Sequence, residues 1–211
     1  MHFANVLIAG VPLTLSIAVT RYITVYQEAR LSRLASQDHL TGLYNRRFAC
    51  EMADKNIKQA LRNRTSVCFV LGDIDHFKNI NDSYGHDVGD KILKEVSQLF
   101  SSDFRAVDIV SRWGGEEFLI VLPGADGGAA YKAVDKIRET LNQTVTVDSG
   151  NNTRLSMSFG IAEWQTGESM DDCVKRADDA LYASKENGRN QVTLACKSSD
   201  PELSETIELI S

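Results

Sequence analysis

The chain has 211 residues, 43% of them hydrophobic and 25% charged, which suits one ordinary globular domain with extensions. Its formal net charge of −6 argues against a general nucleic-acid binder, but a bound cation would still admit an anionic ligand. Cys50, Cys68, Cys173 and Cys196 form no CxxC pair and have no histidines at ligand spacing, so they are read as small hydrophobes in a reducing compartment, not as a zinc site.

The first segment, Phe3 to Thr20, carries no charge. As a helix it would reach roughly 27 Å, close to the hydrocarbon thickness of a bilayer. Arg21, Arg30 and Arg33 follow it and no Lys or Arg precedes it. That asymmetry predicts a transmembrane anchor over residues 1–20, with the remainder of the chain in the cytoplasm. A cleaved signal peptide would need a basic start, and Pro12 is tolerable in a membrane helix. Residues 21–37 lack Pro and Gly and continue as a linker helix. Ile23, Tyr26 or Gln27, Arg30 or Leu31, and Leu34 recur at helical spacing, which fits either a short dimerising coil or a solvated linker.

A catalytic-sized domain is expected over residues 38–196. NRRFACEMADKNIKQALRN reads as a helix and TSVCFVLGDI, β-branched and apolar, as a buried strand. GDKILKEVSQLF is amphipathic, with Ile92, Leu93, Val96 and Leu99 or Phe100 on one face. VDIVSRW and EEFLIVLP flank Gly114–Gly115 as a hairpin on a tight diglycine turn. GGAAYKAVDKIRETL is a further helix, and TVTVDSGNNTRLSMSFGIA reads as two strands around an Asn/Gly turn. SMDDCVKRADDALYASKENG has a capping Ser169, an acid three residues on, a terminating Gly188 and a stripe of Val174, Ala177, Ala180 and Leu181. NQVTLA closes as a strand. This order predicts an α/β (α+β) fold, a mixed or mainly antiparallel sheet flanked by helices. Residues 197–211 form an acidic tail, expected to be mobile.

Polar residues gather at the joints between these elements. Asp73 and Asp75 bracket Ile74 where the buried strand ends. A strand-end carboxylate with a neighbouring main-chain carbonyl suits a hard cation, while Asp75 equally suits a helix N-cap. Lys78, Asn81, Asp82, His86, Asp87 and Asp90 follow. An amide and a carboxylate facing one pocket match the guanine edge and a lysine suits a phosphate; the same run also suits a solvated loop and helix start. Glu116 and Glu117 open the second hairpin strand, where alternation would aim them to opposite sides, Glu116 towards Asp73. Two carboxylates and a carbonyl would make a Mg²⁺ site for a triphosphate, against the alternative of protective edge charges. Lys185 and Arg189, four residues apart at a helix end, suit phosphates or simply complement the helix dipole.

Taken together, DHLTGLYNRR, GDIDHFKNINDSYGHDVGD, RWGGEEF, SFGIA and RADDALYASKENGRN, in that order over Asp38 to Ala195, resemble the GGDEF-family diguanylate cyclases. The resemblance implies a palm-like nucleotidyl-cyclase fold. It implies that Asp73, the Ile74 carbonyl and Glu116 hold Mg²⁺ (or Mn²⁺) with Glu117 close by. Asn81 and Asp90 would read guanine, His86 would sit in the substrate pocket, and Lys78, Lys185 and Arg189 would hold phosphates. Glu116 and Lys78 are thus the catalytic candidates, with Glu116 either a general base or a metal-bound activator. The family condenses two GTP into cyclic di-GMP and two pyrophosphates, one GTP per subunit of a homodimer. The alternative function is an inactive module that binds GTP or cyclic di-GMP. RAVD, Arg105 to Asp108, matches the family's inhibitory product site, with Lys136 where a third arginine is frequent.

Overall fold

The structure, a computed structural model, describes residues 19–27, 36–148 and 153–196. The chain divides into two units, Met1–Gln37 and Asp38–Ser211. In the first, residues 19–27 are helical and the rings of Tyr22 and Tyr26 stack at 6.4 Å. Most of the expected anchor, the later part of the expected coil and the acidic tail lie outside the described residues. Among the described residues, no helix is long and apolar enough to cross a membrane.

The second unit contains β1 (Tyr44–Asn45), α1 (Arg46–Asn63), β2 (Val67–Ile74), α2 (Phe77–Tyr84), α3 (His86–Asp103), β3 (Ile109–Gly114) and β4 (Glu117–Pro123). It continues with α4 (Gly127–Thr144), β5 (Thr146–Asp148), β6 (Thr153–Arg154), β7 (Met157–Glu163), α5 (Met170–Glu186) and β8 (Val192–Leu194). Six strands form one sheet in the order β1-β3-β4-β2-β7-β8. The inner pairs β3–β4, β4–β2 and β2–β7 are antiparallel, whereas the outer pairs β1–β3 and β7–β8 are parallel. The sheet is therefore mixed, as parallel edges require helical crossovers.

Every residue of β2 is buried, because helices cover both sheet faces. Alternation splits its side chains between two cores. Cys68 and Val70 join Phe118, Ile120, Phe159 and the apolar faces of α3 and α4. Val67, Phe69 and Leu71 join Leu119, Val121 and the small residues of α1 and α5. Phe100 anchors the first core, edge-on to Phe118 with ring centroids 5.3 Å apart. Burying such a ring contributes about 1.5–3 kcal/mol. On the opposite face α5 lies directly on β7: a Cβ at Gly160 would run into the backbone of Ala177 and Leu181.

Helix starts follow their capping residues. Asn45, Asp126 and Ser169 accept bonds from the backbone N–H of Phe48, Ala129 and Asp172. Four expectations need correction. The stretch 77–84 is a full helix, α2, and α3 begins at His86 ahead of Gly89; two buried residues, Phe77 and Ile80, hold α2 down in an otherwise polar run. The segment read as two strands makes three, since Leu155 turns into the core and separates the β5–β6 ribbon from β7. Cys173, not Val174, completes the buried stripe of α5 with Ala177, Ala180, Leu181 and Ser184. Asp75 caps no helix: α2 follows a left-handed His76 (φ 58°) and has no side-chain cap.

Candidate active site

The polar end of β2 opens into a pocket of about 210 Å³ lined by Asp73, Ile74, Asp75, His76, Phe77, Lys78, Glu116, Lys185 and Arg189. Three separate stretches reach it. β2 brings Asp73 and Ile74 to the middle of the sheet, the β3–β4 hairpin brings Glu116, and the end of α5 brings Lys185 and Arg189. Lys185 Nζ lies 2.9 Å from Asp73 Oδ1, whose side chain is only 10% exposed. Burial pushes the Asp73 carboxyl up to about 6; the Lys185 ammonium pulls it down, and the charges of Glu116 and Glu117 push it up again.

The hairpin departs from expectation by one residue. Its register shifts between Arg112 and Gly114, so Trp113 is bulged and Gly114 pairs with Glu117. The bulge is held from outside by the Arg46 guanidinium, 4.3 Å from the Trp113 ring centroid. The tip is consequently Gly115–Glu116, with Gly115 at φ 49°, and not the two glycines. Glu116 therefore sits in the turn, and strand alternation does not apply to it. Glu117 is the first strand residue and stands opposite Asp73. Arg112 braces the tip, its Nε donating to the Gly115 carbonyl at 2.9 Å while Nη1 reaches Asp38 Oδ1 at 3.2 Å.

The guanine candidates form a neighbouring group on α2 and α3. Asn81 Oδ1 is buried without a hydrogen-bond partner and lies against Gly89, where any side chain would displace it. Asp90 is exposed on the next residue of α3, and His86 is exposed at the start of that helix. Neither they nor Asn81 nor Glu117 lines the Asp73 pocket.

Among the described residues, no cluster of three or more His, Cys, Asp or Glu side chains is arranged to hold a metal. Asp73 and Glu116 do line one pocket, and carboxylates of this kind are ligands for a hard divalent cation such as Mg²⁺, which needs only one or two of them besides water and phosphate oxygens.

A second cavity, of about 350 Å³, lies elsewhere on the domain and includes Arg105, Asp108 and Lys136 in its lining. Arg105 grips Asp108 with Nη2 at 2.7 Å from Oδ1 and Nε at 3.1 Å from Oδ2. The Arg105 backbone N–H donates to the same carboxylate at 2.9 Å. Arg138, one residue beyond Ile137, turns away from this cavity to Asp135 and Asn190.

Three residues of consequence, Ser156, Ser158 and Asn190, were not singled out from the sequence. Asp75 accepts from Ser156 Oγ and Ser158 Oγ, each at 2.7 Å, and from the Asn190 backbone N–H at 3.0 Å. Ser156 and Ser158 stand two apart, a spacing that could have marked a common face. Nothing local marks Asn190.

The model for the family described as "Diguanylate cyclase, GGDEF domain" matches residues 35–191, and the chain belongs to that family. Diguanylate cyclase DosC of Escherichia coli K12 is 36% identical over 182 residues, covering 86% of this chain and 39% of DosC. The response regulator PleD of Caulobacter vibrioides is 38% identical over 162 residues, covering 75% of this chain and 36% of PleD. The chain thus spans about two fifths of the length of these curated relatives. Among solved structures, the coiled coil and GGDEF domain of DgcB from Caulobacter crescentus, in complex with c-di-GMP, superposes with a TM-score of 0.76 at 32% identity. That match covers 87% of this chain and 97% of the DgcB chain.

Proposed function

We propose that this chain is a diguanylate cyclase that condenses two GTP into cyclic di-GMP and two pyrophosphates, one GTP being held by each of two copies. The observation that carries the reading is the Asp73–Lys185 pair at the mouth of a pocket shared with Glu116, Lys78 and Arg189, in a chain of the GGDEF family. The Asp73 carboxylate and the Lys185 ammonium, now in contact, are the two charges that a metal–triphosphate ligand would separate.

In this reading Asp73, the Ile74 carbonyl and Glu116 hold Mg²⁺ (or Mn²⁺), with Glu117 close by. The ion would neutralise charge on the phosphates and acidify the attacking hydroxyl. With Asp73 committed to the ion, Lys185 would be available to a phosphate oxygen, and Arg189 and Lys78 would bind the remaining oxygens. Asn81 and Asp90 read the guanine edge, with His86 beside them. The 3′-hydroxyl of one GTP gives up its proton, to Glu116 or to solvent, as its oxygen bonds to the α-phosphorus of the other; the bond to the β-phosphate bridge breaks, and pyrophosphate leaves. Each copy supplies half of the reaction, so the two pockets must face each other. Arg105, Asp108 and Lys136 form the proposed inhibitory site for cyclic di-GMP. The uncharged run of residues 1–20 supports attachment to a bacterial inner membrane, with the domain 38–196 in the cytoplasm and residues 21–37 setting the separation of the two copies.

The test is incubation of the purified full chain with GTP and Mg²⁺ or Mn²⁺, followed by chromatography. Formation of cyclic di-GMP, with specific activity rising as protein concentration favours dimers, is the expected result. GTP bound but unchanged would assign the chain to a binding module instead. Membrane fractionation with and without residues 1–20 tests the anchor.

A further inference from the structure

We propose that Asp75 is a positioning residue: its buried carboxylate fixes the turn after α5 and so aims Arg189 into the pocket. The proposal rests on reading that pocket as a triphosphate site. Asp75 is 4% exposed and stands immediately beyond β2. Oδ1 accepts from Ser158 Oγ, and Oδ2 accepts from Ser156 Oγ and the Asn190 N–H. Its own N–H donates to the Ser156 carbonyl at 3.0 Å. The carboxylate is thereby spent across 115 residues of sequence on a loop, while the helix that follows it is left without a side-chain cap.

The loop it reaches has an unusual backbone. Gly188, Arg189 and Asn190 have φ values of 108°, 64° and 47°, three successive residues in a region that side chains disfavour. Arginine gains nothing from this conformation by itself, so the surroundings must impose it. The Asn190 N–H is fixed by Asp75, and its Oδ1 accepts from Arg138 Nη1 at 3.1 Å. Arg138 is anchored in turn on Asp135 at 2.7 Å. The Arg189 N–H closes the turn on the Ser184 carbonyl at 3.0 Å. Asp75, just past β2, and Arg138, on α4, therefore both hold Asn190, and Arg189 is the residue immediately before that grip in the turn after α5. A free arginine would sample many orientations; one set on a fixed turn meets a phosphate with less ordering to lose.

The experiment uses 3′-deoxy-GTP, which keeps the triphosphate but lacks the attacking hydroxyl, with guanosine as the control without phosphates. Affinities of the full chain for both are measured for the wild type, Asp75→Ala, Arg189→Ala and the double variant. Asp75→Ala should weaken 3′-deoxy-GTP about tenfold, the scale of one charged hydrogen bond. It should leave guanosine unchanged and speed hydrogen exchange at the Asn190 amide. The double variant should bind no more weakly than Arg189→Ala, because an arginine that is absent cannot be misaimed. Asp75→Asn, which keeps an acceptor oxygen for Asn190, should bind nearly as the wild type does. If Asp75→Ala does not fold, Arg138→Gln removes the other hold on Asn190, with the same ligand pattern expected at about threefold. Wild-type binding together with losses that add in the double variant, or an equal loss of guanosine, overturns the positioning role alone. A wild-type chain that does not bind 3′-deoxy-GTP overturns the triphosphate reading and this proposal with it.

Discussion

Two cavities of the domain each contain one acid–base pair of similar length, 2.9 Å for Asp73–Lys185 and 2.7 Å for Arg105–Asp108. They differ in how well the acid is served. Asp108, with its side chain 3% exposed, accepts from Nε, Nη2 and the backbone N–H of the same arginine. Asp73 has one ammonium partner and two further glutamates against it, and its carboxyl sits near 6. The Arg105–Asp108 pair is a finished structural unit whose arginine side chain is still 58% exposed. The Asp73–Lys185 pair is under-neutralised, and an arriving cation would relieve it. A satisfied pair suits a site that must be preformed, and a dissatisfied pair suits one that exchanges partners during turnover.

The sharpest way to break this contrast is to remove the acid at the hairpin tip. Glu116→Gln should lower the rate of cyclic di-GMP formation by about 100-fold or more while circular dichroism and melting stay those of the wild type. Retained turnover would remove Glu116 from the site.

The next effect concerns pH. In metal-free protein Asp73 stays protonated up to about pH 6, whereas in the unfolded chain it ionises near 3.8. The folded state thus holds the extra proton between those values, and stability falls as pH rises through that window. Asp73→Asn escapes this loss, so above pH 6 the metal-free variant should gain up to about 3 kcal/mol on the wild type relative to their difference below pH 4. Denaturant titrations across pH measure it; parallel profiles would mean that Asp73 is not strained. Adding Mg²⁺ and GTP should reverse the order, since they stabilise the wild type alone.

Arg105→Ala should act in the opposite sense. It strands a buried carboxylate, so it should destabilise the fold by about 3 kcal/mol in addition to weakening inhibition by cyclic di-GMP. A thermal melt and an inhibition curve check the two effects. The smallest change expected is from Lys136→Arg, which exchanges a point charge for a fork: inhibition should tighten about threefold with no change in melting. Unchanged inhibition would place Lys136 outside the ligand's reach.

Much of this arrangement was legible because its carriers are local. A buried β-branched run, capping residues three positions ahead of their partners and motif residues at fixed spacing each signal themselves within a short window. The errors came where a distant contact decides. Asp75 has the look of an N-cap, yet Ser156, Ser158 and Asn190 claim it. The diglycine has the look of the turn, yet a bulge at Trp113 moves the tip onward by one residue. α2 was obscured because only Phe77 and Ile80 hold it to the core, too few for a helical period to emerge. The joining of Arg105 with Lys136 followed from the family resemblance, since no spacing rule connects α4 to the loop before β3.

Gly160 has a bearing on the pocket although it does not line it. With no side chain between β7 and α5, the helix rides on the strand at the height of its own backbone. That height acts as a shim under the far end of α5, where Lys185 must meet Asp73. Even one methyl group there would raise the helix like a lever resting on Ala177 and Leu181. The 2.9 Å contact would open without any charged residue having been altered.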